Sequence, residues 1–258
     1  MKYSQNYFIT NDCMDKTYHM RPMAAVMFFQ DCFAQFMTTK NIAAFDLVKE
    51  NIYWVIAGFD LEFVKETPFW SEQIKVEVWV SELTKMKMFT DFVFYHNNEV
   101  FAKGNACWFI LDMNSKRPLP MNKISDKIEV IPELVLGEHS KYNVEDGVET
   151  VAEVKYTTNI NDIDFNNHVN NKSYINLAQS TIGADFRNKH GLKKLTVKFC
   201  KETFIYDKLE CKTYKGSDNL TYIHKILKDS ADVCDIKTVW TDDVKKSNIE
   251  NYKLAIRN

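Results

Sequence analysis

The chain carries two copies of one pattern, and that repetition limits what it can fold into. Asp15-Lys16-Thr17-Tyr18-His19 has the Asp-x-x-x-His spacing of Asp164-Phe165-Asn166-Asn167-His168. A glutamine follows eleven residues after each histidine, Gln30 and Gln179. Further on, Phe63-Val64-Lys65-Glu66-Thr67 matches Phe199-Cys200-Lys201-Glu202-Thr203 at four of five positions. One such match could arise by chance. Three in the same order point to a duplicated domain, with a period far longer than the roughly 20–50 residues of a solenoid.

A chain of 258 residues holds two units of about 120–130 residues each. The duplication predicts an N-terminal unit over 1–115 and a C-terminal unit over 151–258. Between them, Pro118, Pro120, Pro132, Gly137 and Gly147 sit among charges and break the strand pattern, so 116–150 reads as a linker with one short helix near 122–128.

Within the first unit, residues 3–10 read as a strand. Pro22 suits the first turn of a helix, where its missing N–H costs no hydrogen bond. The helix runs to about Thr39, with Val26, Phe29, Phe33, Phe36 and Met37 at helical spacing and Met27, Phe28 and Ala34 on other faces, the pattern of a helix buried nearly all round. Strands follow over 53–66, about 74–80, 86–95 and 100–111, with His96-Asn97-Asn98-Glu99 as a hairpin turn. The second unit repeats the plan: a strand over 151–158, a helix over 171–189, and strands over 194–205, 208–215, 219–228 and 232–241. The tail, 242–258, is polar and poorly patterned. One strand, one helix and four antiparallel strands, twice over, predict an α+β fold of the tandem hotdog kind, two antiparallel sheets each wrapping a long central helix.

Composition excludes several functions. A net charge of −2 argues against general nucleic-acid binding. No apolar run approaches the ~20 residues of a membrane span, and the first residues lack a targeting pattern, so a cytoplasmic protein is expected. The six cysteines form no C-x-x-C pair and none stands near a histidine at ligand spacing, so a structural zinc site is not expected. Only seven glycines leave little room for a Gly-rich phosphate loop.

The second copy of the motif carries the chemistry. On an extended segment Asp164, Asn166 and His168 point to one side. The helix that follows would present its first N–H groups, Val169 and Asn170, which lack intrahelical partners and favour negative charge, as an oxyanion hole for a thioester carbonyl. His168 supplies an imidazole, a group able to take up and give a proton. Glu202 could orient it or share its proton, and Asp164 could attack the carbonyl or activate water. Helix capping is the competing reading for Asp164 alone.

Asp164-Phe165-Asn166-Asn167-His168-Val169-Asn170-Asn171, with Tyr174 and the downstream Phe199-x-Lys201-Glu202, resembles the signature of the fatty acyl-ACP thioesterases of bacteria and plant plastids, over roughly residues 5–245. The resemblance implies hydrolysis of the thioester between a fatty acyl chain and acyl carrier protein, without a cofactor. It implies that Asp164 attacks or activates water, that Asn166 holds the carbonyl or the acid, that His168 polarises or shuttles the proton, and that Glu202 supports it. Plant members carry a cysteine directly after the glutamate; Thr203 occupies that position here. The first unit is then the acyl-chain receptacle, with Met23, Met27 and Phe28 as pocket residues. The carrier is acidic, so Arg187, Lys189, Lys193 and Lys194 are the expected docking residues. Rival functions are an acyl-CoA thioesterase, a double-hotdog acyl-thioester hydratase or dehydratase, and a non-catalytic acyl- or carrier-binding protein. Either a monomer or a homodimer would serve.

Overall fold

The computed structural model describes residues 1–139 and 141–244. The polar tail from residue 245 onward, with the end of the expected C-terminal unit, lies outside the described residues. The secondary structure is mixed, with antiparallel β-structure dominant and few helices. The chain forms two compact units: Met1–Phe8, Ala25–Lys65 and Gln73–Tyr142 make the first, and Ile9–Ala24, Glu66–Glu72 and the chain from Asn143 make the second.

In chain order the elements of the first unit are β1 (Tyr3–Phe8), α1 (Pro22–Thr39), α2 (Ala44–Leu47), β2 (Ile52–Phe63), β3 (Gln73–Leu83), β4 (Met88–His96), β5 (Glu99–Asp112) and the two-residue β6 (Pro118–Leu119); α1 begins in the second unit. Its five main strands are hydrogen-bonded in the order β1-β3-β4-β5-β2, every pair antiparallel. The β4–β5 hairpin turns on Asn97 (φ 50°) and Asn98 (φ 62°), left-handed positions that asparagine tolerates better than most residues and that a tight hairpin requires. The helix α1 lies against this sheet. Phe29 stacks on Phe92 at 4.3 Å and meets Phe59 edge-on, and Phe33 stacks on Trp108 at 3.8 Å. Such aromatic pairs add about 0.5–1.5 kcal/mol each beyond the area they bury.

Two expectations for this unit need correction. Met27, Asp31, Ala34, Gln35 and Thr38 form an exposed stripe, so α1 is amphipathic rather than buried all round. The stretch 116–142 is not a bare linker either. It carries β6 and two short 3-10 turns (Met121–Lys123 and Ser125–Lys127), then runs as a strap over β3–β5. Trp79 Nε1 donates to Glu133 O at 3.0 Å, Val135 N to Asp91 Oδ1 at 2.8 Å, and the Tyr142 hydroxyl to Asn105 Oδ1 at 3.0 Å. His139 pins the strap between Glu82 and Asp91 at 2.8 and 3.2 Å.

The second unit contains β7 (Glu149–Thr157), α3 (Asn171–Ser180), α4 (Ala184–Lys189), β8 (His190–Phe199), β9 (Lys208–Lys215), β10 (Thr221–Lys228) and β11 (Ala231–Val244). Its strand order, β7-β9-β10-β11-β8, is that of the first unit repeated element for element, and each neighbouring pair is antiparallel. The single helix expected over 171–189 is two. Ser180 and Thr181 turn their hydroxyls back onto the carbonyls of Leu177 and Ala178, which competes with helix continuation, and Gly183 restarts the chain as the N-cap of α4. The buried face of α3 carries Tyr174, Ile175, Leu177, Ala178 and Gln179. β8 begins at His190, earlier than expected, because α4 ends there.

Candidate active site

Asp164 to His168 do not form an extended segment. Ile163 and Val169 pair as an antiparallel bridge, and the five residues between them close a tight loop. Asp164 N donates to His168 O at 2.9 Å, and Asn167 N to Asp164 O at 3.1 Å, with Asn167 left-handed at φ 62°. The Asp164 carboxylate works inside the loop: its Oδ1 accepts from Asn166 N at 2.8 Å and His168 N at 3.2 Å. The side chain thus caps N–H groups of its own loop. A short 3-10 turn, Ile160–Asp162, leads into the loop, held by Asp162 Oδ2, which accepts from the Tyr156 hydroxyl and Asn159 N at 2.8 Å each.

The loop brings His168 to Glu202, with Nε2 3.3 Å from Oε2. Both side chains are partly accessible, and the ring of Phe204 meets the imidazole edge-on at 5.3 Å. Glu202 is held from behind by its neighbour. The buried Thr203 shares a 2.7 Å hydrogen bond with the Tyr174 hydroxyl, and its carbonyl accepts from Val169 N at 2.8 Å. Among the described residues the side-chain amide of Asn166 has no hydrogen-bond partner, and the residue is half-buried.

The expected backbone oxyanion hole is not there. Val169 N–H is spent on Thr203 O, and Asn170 N–H on Asp162 O at 2.7 Å. The first helical turn turns to Asn170 instead, whose side chain accepts from Lys172 N at 3.0 Å. A thiol nucleophile has no support: the position after Glu202 is a buried threonine, and partial burial and nearby carboxylates raise the Cys200 thiol.

Other expected site residues scatter. Met23 is buried, Met27 is 48% exposed, and Phe28 stacks on Tyr7 at 4.6 Å. Lys189 and Lys193 are exposed and Lys194 is half-buried on β8. Arg187 is no freely solvated cation: it is half-buried, and Nη1 donates to Gln179 O at 3.2 Å. Phe204 and the Tyr174–Thr203 bond were not foreseen; a hydrophobic residue directly after the glutamate-threonine pair was the one signal available for the first.

The first copy keeps the same skeleton. Asp15 N donates to His19 O at 2.9 Å, Tyr18 N to Asp15 O at 3.1 Å and Thr17 N to Asp15 Oδ1 at 2.8 Å, with Tyr18 left-handed at φ 66°. His19 Nε2 stands 3.1 Å from Glu66 Oε1. Access differs. His19 is 1% exposed, its Nδ1 is 2.8 Å from Thr67 O, and Phe69 covers its ring at 4.1 Å.

Residues 1–128 match the model of the acyl-ACP thioesterase N-terminal domain and residues 145–242 that of the C-terminal domain. The chain belongs to the acyl-ACP thioesterase family. Each matched segment contains one of the two loops. The chloroplastic acyl-(acyl-carrier-protein) hydrolase FATB3 of Cuphea viscosissima is 27% identical over 211 residues, covering 76% of this chain and 50% of that protein. The chain thus spans about half the length of the plant relatives it matches. A crystal structure of an acyl-ACP thioesterase from Bacteroides thetaiotaomicron superposes with a TM-score of 0.82 at 17% identity, covering 93% of this chain and 98% of that one. The 12:0-ACP thioesterase of Umbellularia californica gives 0.80 at 15% identity, over 93% and 97%. At such identities these two likenesses speak for the fold. No helix among the described residues is long and apolar enough to cross a membrane.

Proposed function

We propose that this chain hydrolyses the thioester between a fatty acyl group and acyl carrier protein, with Asp164, Asn166, His168 and Glu202 as the working residues. The observation that carries the reading is the partly accessible His168–Glu202 pair held against a loop closed by Asp164. Water, or Asp164 itself, adds to the acyl carbon; the Asn166 amide donates to the oxygen as it gains charge. The carbon–sulfur bond then breaks, and His168, held by Glu202, gives the leaving thiolate a proton that it has taken from the attacking water, or regains from the resolving water in the carboxylate route. If Asp164 attacks, water resolves the acyl-carboxylate anhydride in a second step. Fatty acid and free carrier thiol are the products.

The same reading makes the fold a tandem hotdog, supported by the repeated strand order, with the first unit as the acyl-chain receptacle. The carrier docks on Lys189, Lys193 and Lys194, close in sequence to α4. The exposed Phe165, Phe204 and Tyr206, on the two loops that hold the site, are suited to shield the pantetheine arm. Release of free thiol from acyl carrier protein thioesters of graded chain length, read with a colorimetric thiol reagent, tests the function. Substrate consumed without thiol release would favour a hydratase or dehydratase, and equal turnover of acyl-CoA would remove the carrier from the proposal. Charge reversal of Lys189 and Lys193 raises KM for carrier substrates and spares small thioester analogues if those lysines dock the carrier.

A further inference from the structure

We propose that the first-copy loop, with α3 and α4, forms a binding site for the phosphate group of an organic phosphate ester, built from residues that the Asp164–Glu202 set does not use. A cavity of about 300 Å³ opens there, wholly within the second unit. Its rim carries Lys16 and Arg21, its wall Arg187 and Asp15, and its floor Gln179 and Trp240.

Three cations face one carboxylate in this cavity. The carboxylate is already engaged, since Asp15 Oδ1 accepts both the N–H and the hydroxyl of Thr17. Burial, and then the neighbouring Arg21 guanidinium, lower the hold of Arg187 on its proton, so two like charges are kept close in a partly desolvated place. Such an arrangement is costly without an anion and favourable with one. Each guanidinium is oriented by one bond to the backbone, Arg21 Nε to Met14 O and Arg187 Nη1 to Gln179 O. Arginine has five N–H donors in a planar fork, so most of each fork remains for a phosphate.

A second observation points to a ligand independently of charge. Gln179 is 7% exposed and its Nε2 has no hydrogen-bond partner, a condition that among the described buried side-chain amides it shares with Gln30, which does not line this cavity. Gln179 lines it, and a phosphate oxygen is the acceptor its amide lacks. The volume is at the lower end of small-molecule pockets, about 300–1,000 Å³, which leaves room beyond a bare phosphate for an organic portion. Pro22, Ala184 and Trp240 offer that portion an apolar surface.

Isothermal titration of the full chain with pantetheine 4′-phosphate, adenosine 3′,5′-bisphosphate and unphosphorylated pantetheine tests this without recourse to turnover, so the hydrolase reading can fail separately. The expected result is binding of at least one phosphate ester, weakened about tenfold or more by Arg21→Gln and by Arg187→Gln. The tighter of the two esters identifies the organic portion. Asp15→Asn keeps the acceptor for Thr17 and removes the negative charge, so it tightens binding by about threefold or more, a gain that a merely destabilised variant cannot give. The proposal is overturned if neither ester binds, if pantetheine binds as well as its phosphate, or if all three substitutions leave the affinity unchanged.

Discussion

His168 Nε2 lies 3.3 Å from Glu202 Oε2, and the two residues reach each other from separate parts of the second unit, a loop before α3 and the segment after β8. The contact is maintained by backbone bonds rather than by the side chains themselves, chiefly Val169 N to Thr203 O at 2.8 Å. Replacing either side chain should therefore change chemistry more than folding. His168→Gln is expected to lower kcat for acyl carrier protein thioesters by about 10²–10⁴-fold, the span of general acid–base catalysis. Glu202→Gln should lower it less, because the imidazole stays in place. Thiol release at saturating substrate is the measurement, and an undiminished kcat in His168→Gln would remove the histidine from the mechanism.

Asp164 serves loop and chemistry at once, and two substitutions separate them. Asp164→Asn keeps an oxygen for Asn166 N–H and His168 N–H but has no charge. It should melt within a few degrees of the parent while losing most turnover. Asp164→Ala leaves both N–H groups without that acceptor and should cost a further ~1–2 kcal/mol of stability, the scale of a lost cap. Thermal melts beside thiol release decide the matter. Full activity in Asp164→Asn would mean that the carboxylate is only structural.

His224 gives the fold a defined acid sensitivity. It is fully buried, its Nδ1 2.8 Å from Thr213 Oγ1 and its Nε2 3.2 Å from Thr238 Oγ1, and burial pushes its imidazole down to about 3. An unfolded histidine binds its proton near 6.5. The unfolded state therefore takes up a proton that the folded state refuses. This contribution is complete above about pH 6.5 and is lost as pH falls toward about 3. His139 acts in the opposite sense: burial opposes its charge, but the hydrogen-bonded carboxylates of Asp91 and Glu82 outweigh it and raise its pKa, so its contribution fades as pH rises. Comparing the parent with His224→Gln cancels the His139 part. The variant should show a smaller drop in Tm between pH 7 and pH 4, and parallel curves would contradict the assignment.

The first-copy pair His19–Glu66 should be silent in hydrolysis. His19 is sealed by Phe69 and by the Thr67 carbonyl, whereas Glu66 is 57% exposed. Glu66→Gln is expected to leave kcat and KM within about twofold of the parent, as for an ordinary surface substitution. A loss comparable to that of Glu202→Gln would make the first loop a second reaction centre.

Much of this architecture was legible in the residues. Strand alternation located nearly every strand, since period two survives wherever one face is buried, as at Ile74, Val76, Val78 and Val80. The extent of α1 followed from Pro22 and the phenylalanine spacing. Misreadings arose where local hydrogen bonds override periodicity. Thr181 and Gly183 split a helix that its apolar face made look continuous. Asp164 folded its own segment into a loop, which moved His168 by turning the chain rather than by alternation. The oxyanion donors were misjudged for a tertiary reason: Val169 and Asn170 find carbonyls on Thr203 and Asp162, and no local pattern reveals partners so far apart. The strap over 128–139 escaped because it holds by single bonds such as Trp79 to Glu133, which leave no periodic trace.

The two loops share their backbone bonds and their left-handed residue, yet one holds Asn166 where the other holds Thr17. Shape is thus kept apart from occupant in this polypeptide: the scaffold tolerates a change of residue at its tip without reshaping. The molecule contains an internal comparison, a second loop of the same shape against which each exchange in the Asp164–His168 loop can be read under identical conditions.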